Sequence, residues 1–391
     1  MTENKRHKHD KTIHILALSW RDCRSPKSGG AEVHTHSMLK TAGPDFAITH
    51  FAPLYPGLPK EEIIDGITYR RAGNWVTVIF HAWRYFRKHR DEIDFVIDQC
   101  NTHRFFTGLW VPKEKRIFYI HQLTREIWDI NFRFPLNLIG RWSENWMLRL
   151  QKNDPTITVS QSTKDDLVAV GFDPEKIVII PNGVDERFLG MPIEPEKHSA
   201  DFIYAGRYSR YKGIDAAVLA LGILRKTHPQ AKLHIIGRRD DTFVQEVLQP
   251  ISEKLSFRIG EDDGDDVVLH GFVSEEEKFS LMRRAQALLF PSIREGWGII
   301  VSEAGAMGTP SIVYDAPGSR DAVDRGRAGY LCAENSPEEL ARLMKNAMED
   351  EEEYSRIRQA AYDFAQNLSW EHNSRLFPDF IESLKEKNDG R

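Results

Sequence analysis

Short apolar, β-branched runs alternate with longer segments whose apolar residues recur every three to four positions along almost the whole chain. Runs at 13–20, 46–54, 95–100, 116–120, 157–160 and 177–180 read as strands, and the segments 31–42, 76–90 and 162–170 read as helices between them. The rhythm breaks at Pro181-Asn182-Gly183-Val184-Asp185 and in the stretch 191–199, which carries Pro192 and Pro195 and little apolar periodicity. A domain boundary is expected there, dividing 1–188 from 189–368. Beyond it strands at 201–206, 232–237, 267–272, 287–291 and 311–315 alternate with helices at 214–226, 274–285, 299–307, 337–348 and 354–366. Strands joined by helices form parallel sheets, so the fold class is α/β, with two doubly wound domains in tandem. Such sheets bind ligands beyond the carboxyl ends of their strands, and two of them facing each other enclose a cleft. Chemistry-bearing residues are therefore expected just after strands.

The length of 391 residues agrees with two domains at roughly 150 residues each. The balance of 53 Lys+Arg against 58 Asp+Glu, net −5, supplies no chain-wide field for a nucleic-acid backbone. Nucleic acid is not an expected partner. Cys23, Cys100 and Cys332 are widely spaced and form no CxxC pair, which points away from disulfides and cysteine zinc sites and toward a reducing compartment. Residues 1–11, with Lys5, Arg6, His7, Lys8 and His9, lack the apolar core of a signal peptide, and no run approaches the ~18 apolar residues of a membrane span. A cytoplasmic protein is expected, with a peripheral position on the inner membrane face left open.

Three loops after strands carry candidate chemistry. Ser28-Gly29-Gly30-Ala31-Glu32 opens a helix, where paired glycines let backbone N–H groups approach an anion or a sugar; a plain tight turn would look the same. Arg207 leaves the first strand of the second domain and Lys212 precedes the next helix, which would set two cations beside one switch point, suited to a diphosphate. Taken alone they read as solvated surface charges, and their position at the strand's carboxyl end is what argues against that. The run Ser292-Ile293-Arg294-Glu295-Gly296-Trp297-Gly298-Ile299-Ile300-Val301-Ser302-Glu303 offers a carboxylate, a helix start after Gly298 and a second carboxylate in that helix. A sugar nucleotide calls for this set, because carboxylates accept hydroxyl protons while cations and helix-end N–H groups hold phosphates.

The Glu295-x7-Glu303 spacing after a strand, with Arg207 and Lys212 upstream, resembles the retaining glycosyltransferases of family 4. Gly29-Gly30-Ala31-Glu32 and Ile180-Pro181-Asn182-Gly183-Val184-Asp185 resemble that family too, so the likeness spans nearly the whole chain. It implies the GT-B fold, two Rossmann-like domains facing across a cleft, with acceptor bound by 1–188, donor by 189–368, and a C-terminal helix within 369–391 crossing back. It implies that Arg207 and Lys212 neutralise the leaving diphosphate, Glu295 binds the transferred sugar and Glu303 the ribose. His121, in Ile120-His121-Gln122-Leu123, matches a histidine that reaches the donor sugar. The donor set so implied is Gly29, Gly30, Arg207, Lys212, Glu295, Gly296, Trp297, Gly298, Ile299, Ile300 and Glu303, with no metal and no cofactor. Trp297 and Tyr211 are looser matches and leave the donor's identity undecided. The expected activity is transfer of a hexose from a UDP- or GDP-linked donor to a sugar or lipid-linked glycan acceptor, in cell-surface polysaccharide or glycoconjugate synthesis. The alternative is a non-catalytic sugar-nucleotide-binding partner subunit; a nicotinamide-dependent oxidoreductase would need a GxGxxG fingerprint that is missing.

Trp128, Phe132, Phe134, Leu136, Ile139, Trp142, Trp146 and Leu150 crowd one segment together with Arg125, Arg133, Arg141 and Arg149. The positions 139, 142, 146 and 150 form an apolar helical stripe. The spacing favours a core helix of the first domain; the sharper alternative is a surface meeting a lipid-linked acceptor or an anionic membrane leaflet. Asp262, Asp263, Asp265 and Asp266 read as a solvated turn, His34 and His36 as unable to share one helix face, and 349–353 as a solvated helix junction.

Overall fold

The computed structural model describes residues 12–26, 28–100, 104–193 and 200–390; the basic run at 5–9 lies outside them. The first half builds an eight-stranded sheet from β1 (Ile13–Leu18), β2 (Phe46–Ala52), β3 (Glu61–Ile64), β4 (Ile67–Arg71), β5 (Phe95–Cys100), β6 (Arg116–Ile120), β7 (Thr156–Thr158) and β8 (Ile177–Ile179). Their order is β3-β4-β2-β1-β5-β6-β7-β8, parallel except where β3 returns against β4. Helices α1 (Gly30–Lys40), α2 (Val78–His89), α3 (Ile127–Asn131), α4 (Leu136–Arg149) and α5 (Gln161–Ala169) connect them. The second half builds β9 (Asp201–Ala205), β10 (Lys232–Ile236), β11 (Ile259–Gly260), β12 (Val267–Gly271), β13 (Ala287–Phe290), β14 (Ser311–Val313) and β15 (Tyr330–Leu331), in the order β11-β12-β10-β9-β13-β14-β15 and parallel throughout. Around it lie α6 (Ile214–Leu224), α7 (Asp241–Phe243), α8 (Gln249–Leu255), α9 (Glu275–Arg284), α10 (Ile299–Ala306), α11 (Ser319–Ala322), α12 (Pro337–Glu349) and α13 (Glu351–Gln366).

The alternating pattern therefore folds as parallel sheets, because strands buried on both faces by crossover helices read as continuous apolar runs. β5 is buried at all six positions. The β3–β4 hairpin was not expected from periodicity. Its turn is Asp65-Gly66, with φ of 49° and 82°, and an Asp-Gly dipeptide at two positive φ angles is a hairpin signal readable from the sequence. The junction at 349–353 is a break between α12 and α13, where the Asp350 carboxylate accepts the Glu353 N–H at 3.0 Å. His34 and His36 point apart: His34 is fully buried against the Ile180 carbonyl, and His36 bonds Tyr69 and Asp65 at the rim. Asp265 and Asp266 are spent on the turn itself, bonding the N–H groups of Asp262 and Arg258.

The core reading of the aromatic stripe is overturned. The inward face of α4 is Gly140 and Glu144, which meet α3 and the turn before it, and Leu148, which packs on the sheet, whereas Ile139, Trp142, Trp146 and Leu150 are all more than half exposed. Glu144 is inward because its carboxylate accepts N–H groups from Thr124 and Arg125 and the indole of Trp128, which fixes the turn entering α3.

After α13 the chain crosses back. Val184 donates to the Leu368 carbonyl and pairs with Ser369, and Asn373 bonds the Asn182 carbonyl at 3.0 Å. Then α14 (Trp370–Ser374) and α15 (Leu376–Asp389) follow, and α15 is tied to the first half by Lys385–Asp94 at 2.7 Å and by Asn388 to the Glu114 carbonyl. One apolar cluster runs through Ile15 and Ile97 of the first sheet, Ile203 and Leu288 of the second, and Phe377 and Ile381 of α15. Among the described residues no helix is long and apolar enough to cross a membrane.

Candidate active site at the facing switch points

In each sheet the connections leave in opposite directions from two neighbouring central strands, β1 and β5 in the first and β9 and β13 in the second, and a doubly wound sheet holds its ligand at that switch point. At the second switch point Arg207 follows β9 and donates to the Tyr211 hydroxyl at 3.0 Å. Lys212 ends a short helical turn, with its ammonium 2.5 Å from a Glu295 oxygen. Gly213 makes this approach possible. Its φ is +70°, and a Cβ there would collide with the Pro291 carbonyl at the end of β13. Ser292 donates to the same Glu295 carboxylate, whose backbone N–H bonds the Pro317 carbonyl at 3.0 Å. The loop after β13 is thus pinned through one oxygen of the Glu295 carboxylate and through the same residue's backbone.

Gly298, at φ +111°, turns this loop into α10, where Ile299 and Ile300 occupy the first turn with N–H groups that no preceding helical carbonyl can reach. Trp297 points inward: it is 7% exposed and its indole donates to Ser302 at 2.9 Å, so its side chain shapes the loop from beneath. Glu303 lies a turn further on and pairs with Lys278 at 2.9 Å, and Lys278 also holds Glu275 at 2.9 Å. Burial raises the Glu303 carboxyl above its ordinary range, against the pull of Lys278. Burial disfavours the Lys278 charge, yet Glu303 and Glu275 keep it above its ordinary value.

The first switch point meets this loop directly. A Cβ on Gly30 would stand 3.0 Å from the Ile299 side chain, and one on Gly296 would strike the His121 carbonyl at 2.7 Å. Gly29, the N-cap of α1, donates its N–H to Glu32 at 2.8 Å, and Glu32 pairs with Arg21 at 3.0 Å. His121 is 7% exposed, bonded through Nε2 to the Gln99 amide at 3.2 Å and set edge-on to His34 at 5.3 Å. Burial, with His34 beside it, holds the His121 pKa well below the usual value, so the ring is neutral. Burial also lowers His34 to about 4, while its ring bonds the Ile180 carbonyl and the Tyr119 hydroxyl.

Sequence reasoning missed Arg294. Its guanidinium is 4% exposed and reaches from the second-domain loop to Glu126 and Asp166 of the first half, at 2.5 Å each. Burial opposes its charge, but the two carboxylates raise its pKa. Lys278, Gln99 and His34 were missed as well, since each matters only through a partner distant in sequence. Among the described residues no three His, Cys, Asp or Glu side chains gather as a metal site.

Two facing α/β sheets with cations, carboxylates and a helix N-terminus converging on one cleft define a class of two-domain proteins that hold a polar, anionic ligand between the halves. The family is shown by comparison. The Glycosyltransferase Family 4 profile matches residues 28–188 and the Glycosyl transferases group 1 profile matches 192–364. The chain belongs to the family 4 glycosyltransferases and has the GT-B fold. A glycogen synthase of Mycobacterium tuberculosis is 30% identical over 212 residues, 53% of this chain and 48% of that one. The chain spans about half the length of most curated relatives it matches. Sucrose-phosphate synthase from Thermosynechococcus elongatus superposes with a TM-score of 0.73 at 17% identity, covering 96% of this chain and all of that one. HepE of Anabaena, solved in complex with UDP-glucose, gives 0.72 at 17% identity over 95% of this chain and all of that one. These likenesses describe the fold.

Proposed function

We propose that the protein is a retaining, metal-independent glycosyltransferase that moves a hexose from a UDP- or GDP-linked donor to a sugar or lipid-linked glycan acceptor, in cell-surface polysaccharide or glycoconjugate synthesis. The observation that carries this reading is the second switch point, where Arg207, Lys212, Glu295 and the start of α10 converge. Lys212 and Glu295 neutralise each other; a donor entering between them would offer its diphosphate to the ammonium and its sugar hydroxyls to the carboxylate. As the anomeric C–O bond breaks, negative charge develops on the departing diphosphate and is met by Lys212, Arg207 and the N–H groups of Ile299 and Ile300. The acceptor hydroxyl forms its bond to the anomeric carbon on the same face and passes its proton to the departing phosphate oxygen, so configuration is retained. His121, neutral, serves as a hydrogen-bonding contact to the donor sugar, and Glu303 accepts from the ribose hydroxyls. The two fixed cations do the electrostatic work for which other transferases recruit a divalent ion. The first domain binds the acceptor.

Thermal unfolding with UDP, GDP, ADP and dTDP, each with and without EDTA, tests the reading. A ligand at 100 times its dissociation constant adds about 2.7 kcal/mol to the folded state. The expected result is an EDTA-insensitive rise with UDP or GDP. No rise with any nucleotide removes the diphosphate site; a rise without any donor turnover moves the protein to the non-catalytic subunit class.

A further inference from the structure

One face of the first sheet is covered by α2, the segment 104–111 and α4. The register pairs Leu16 with Val96 and Asp98 with Phe118, so these side chains share a face; Leu16 and Val96 pack under Val78 and Ala82 of α2, and Phe118 under Leu148 of α4. The outer side of this layer is unlike the rest of the surface. Of the nineteen large apolar side chains exposed among the described residues, nine lie between 130 and 150, and Trp75, Val76, Phe80, Phe106 and Leu109 belong to the neighbouring elements of the same layer. Isolated exposed apolar residues are ordinary; a contiguous group of this size marks an interaction surface.

Its charge is equally uneven. Segments 74–90 and 132–152 contain eight Lys and Arg against one carboxylate, Glu144, which is turned inward; the chain as a whole is net negative. Asp129, at the edge, is engaged by Arg141 and Asn137. Protein interfaces tend to lose charged residues from their centre. Here Arg84, Lys88, Arg133, Arg149 and Lys152 lie among exposed aromatics with no exposed acid in those segments, the combination that suits the headgroup layer of a negatively charged membrane. We propose that this face is a docking surface for an anionic lipid bilayer. The surface runs into the cleft: α3 follows Glu126, which holds Arg294 beside Glu295. Docked in this way, the mouth of the cleft lies at the membrane, and, resting on the transferase reading above, the acceptor is one whose apolar part stays in the bilayer while its head enters between the domains.

Co-sedimentation of the full chain with phosphatidylcholine vesicles, with and without phosphatidylglycerol and at low and high salt, tests the surface. Binding is expected only with phosphatidylglycerol and is expected to weaken at high salt. Trp142→Ser combined with Trp146→Ser is expected to lower partitioning roughly a hundredfold, since each large side chain buried from water is worth about tenfold or more. Arg84→Ser combined with Lys88→Ser is expected to lower it roughly thirtyfold. All variants should keep the wild-type melting temperature and its rise with nucleoside diphosphate, which separates a lost surface from a lost fold. Equal binding to neutral vesicles, absence of binding, or a dimer in light scattering that the tryptophan substitutions dissolve would each overturn the proposal, the last in favour of a second copy of the chain. Vesicle binding without any response to nucleotides would leave the docking surface standing and sink the transferase reading.

Discussion

The two switch points share a geometry and differ in charge. Both lie where a parallel sheet reverses its strand order, and both are followed by a loop and a helix that starts at a glycine, α1 after Gly29 and α10 after Gly298. Around the second, cations and carboxylates face each other at bonding distance. Around the first, the groups nearest the loop that leads into α10 are neutral, the Gly30 backbone and His121 with Gln99 and His34 behind it, and the two carboxylates that cross to that loop, Glu126 and Asp166, are both taken up by Arg294. Its charges are closed on themselves in the scaffold, with Arg71 and Asp22 fully buried as a pair at 2.5 Å and Arg21 bound to Glu32. The difference divides the labour. A departing diphosphate needs fixed charge on one side, and a neutral opposite wall adds hydrogen bonds without drawing that charge away.

The division can be broken at its charged end. Lys212→Ala should lower kcat/KM roughly a hundred- to a thousandfold, the range for removing one donor to a developing anion, with little loss of stability because Ser292 still holds Glu295. Turnover and urea denaturation on the same preparation check both halves; near-normal turnover would take Lys212 out of the chemistry. The neutral end is exposed by acid. Burial holds His34 and His50 at about 4 and His121 well below its ordinary value, against about 6.5 in the unfolded chain. Between those values the unfolded state binds more protons, so stability is present above pH ~6.5 and is lost as pH falls toward 4, by up to about 1.4 kcal/mol per pH unit for each histidine. Denaturation midpoints that stay level across this window would mean that the rings are not held neutral. The joint between the two ends is the smallest test. Arg294→Met should cost about 1–3 kcal/mol, less than a fully buried pair because Glu126 and Asp166 keep contact with water. Arg294→Lys should restore part of it, and an unchanged midpoint in Arg294→Met would reduce the cross-domain pairs to surface decoration.

The fold was largely legible because parallel strands covered on both sides leave unbroken apolar runs, and the loops after β9 and β13 were legible because a motif is local. What stayed hidden was relational. Arg294 is an ordinary loop arginine until two carboxylates from α5 and the approach to α3 meet it, and Lys278 is an exposed-looking helix lysine until Glu303 turns toward it. The α4 stripe shows the limit of periodicity most clearly. The pattern 139, 142, 146, 150 was a true stripe, yet the adjacent row, 140, 144 and 148, turns inward, because Gly140 lets the Trp128 ring lie against the helix and Glu144 has three N–H donors to satisfy. A moment along a sequence states that one side of a helix is apolar; it does not state what covers it.

The return of the chain at Val184 and Leu368 has a consequence for birth order. In covalent terms the second domain is an insertion: the first sheet begins at residue 13, but one of its faces waits for Phe377 and Ile381 of α15. During synthesis every strand of both sheets leaves the ribosome before that helix does. The half whose strands come first is therefore completed after its neighbour, when α15 closes over it.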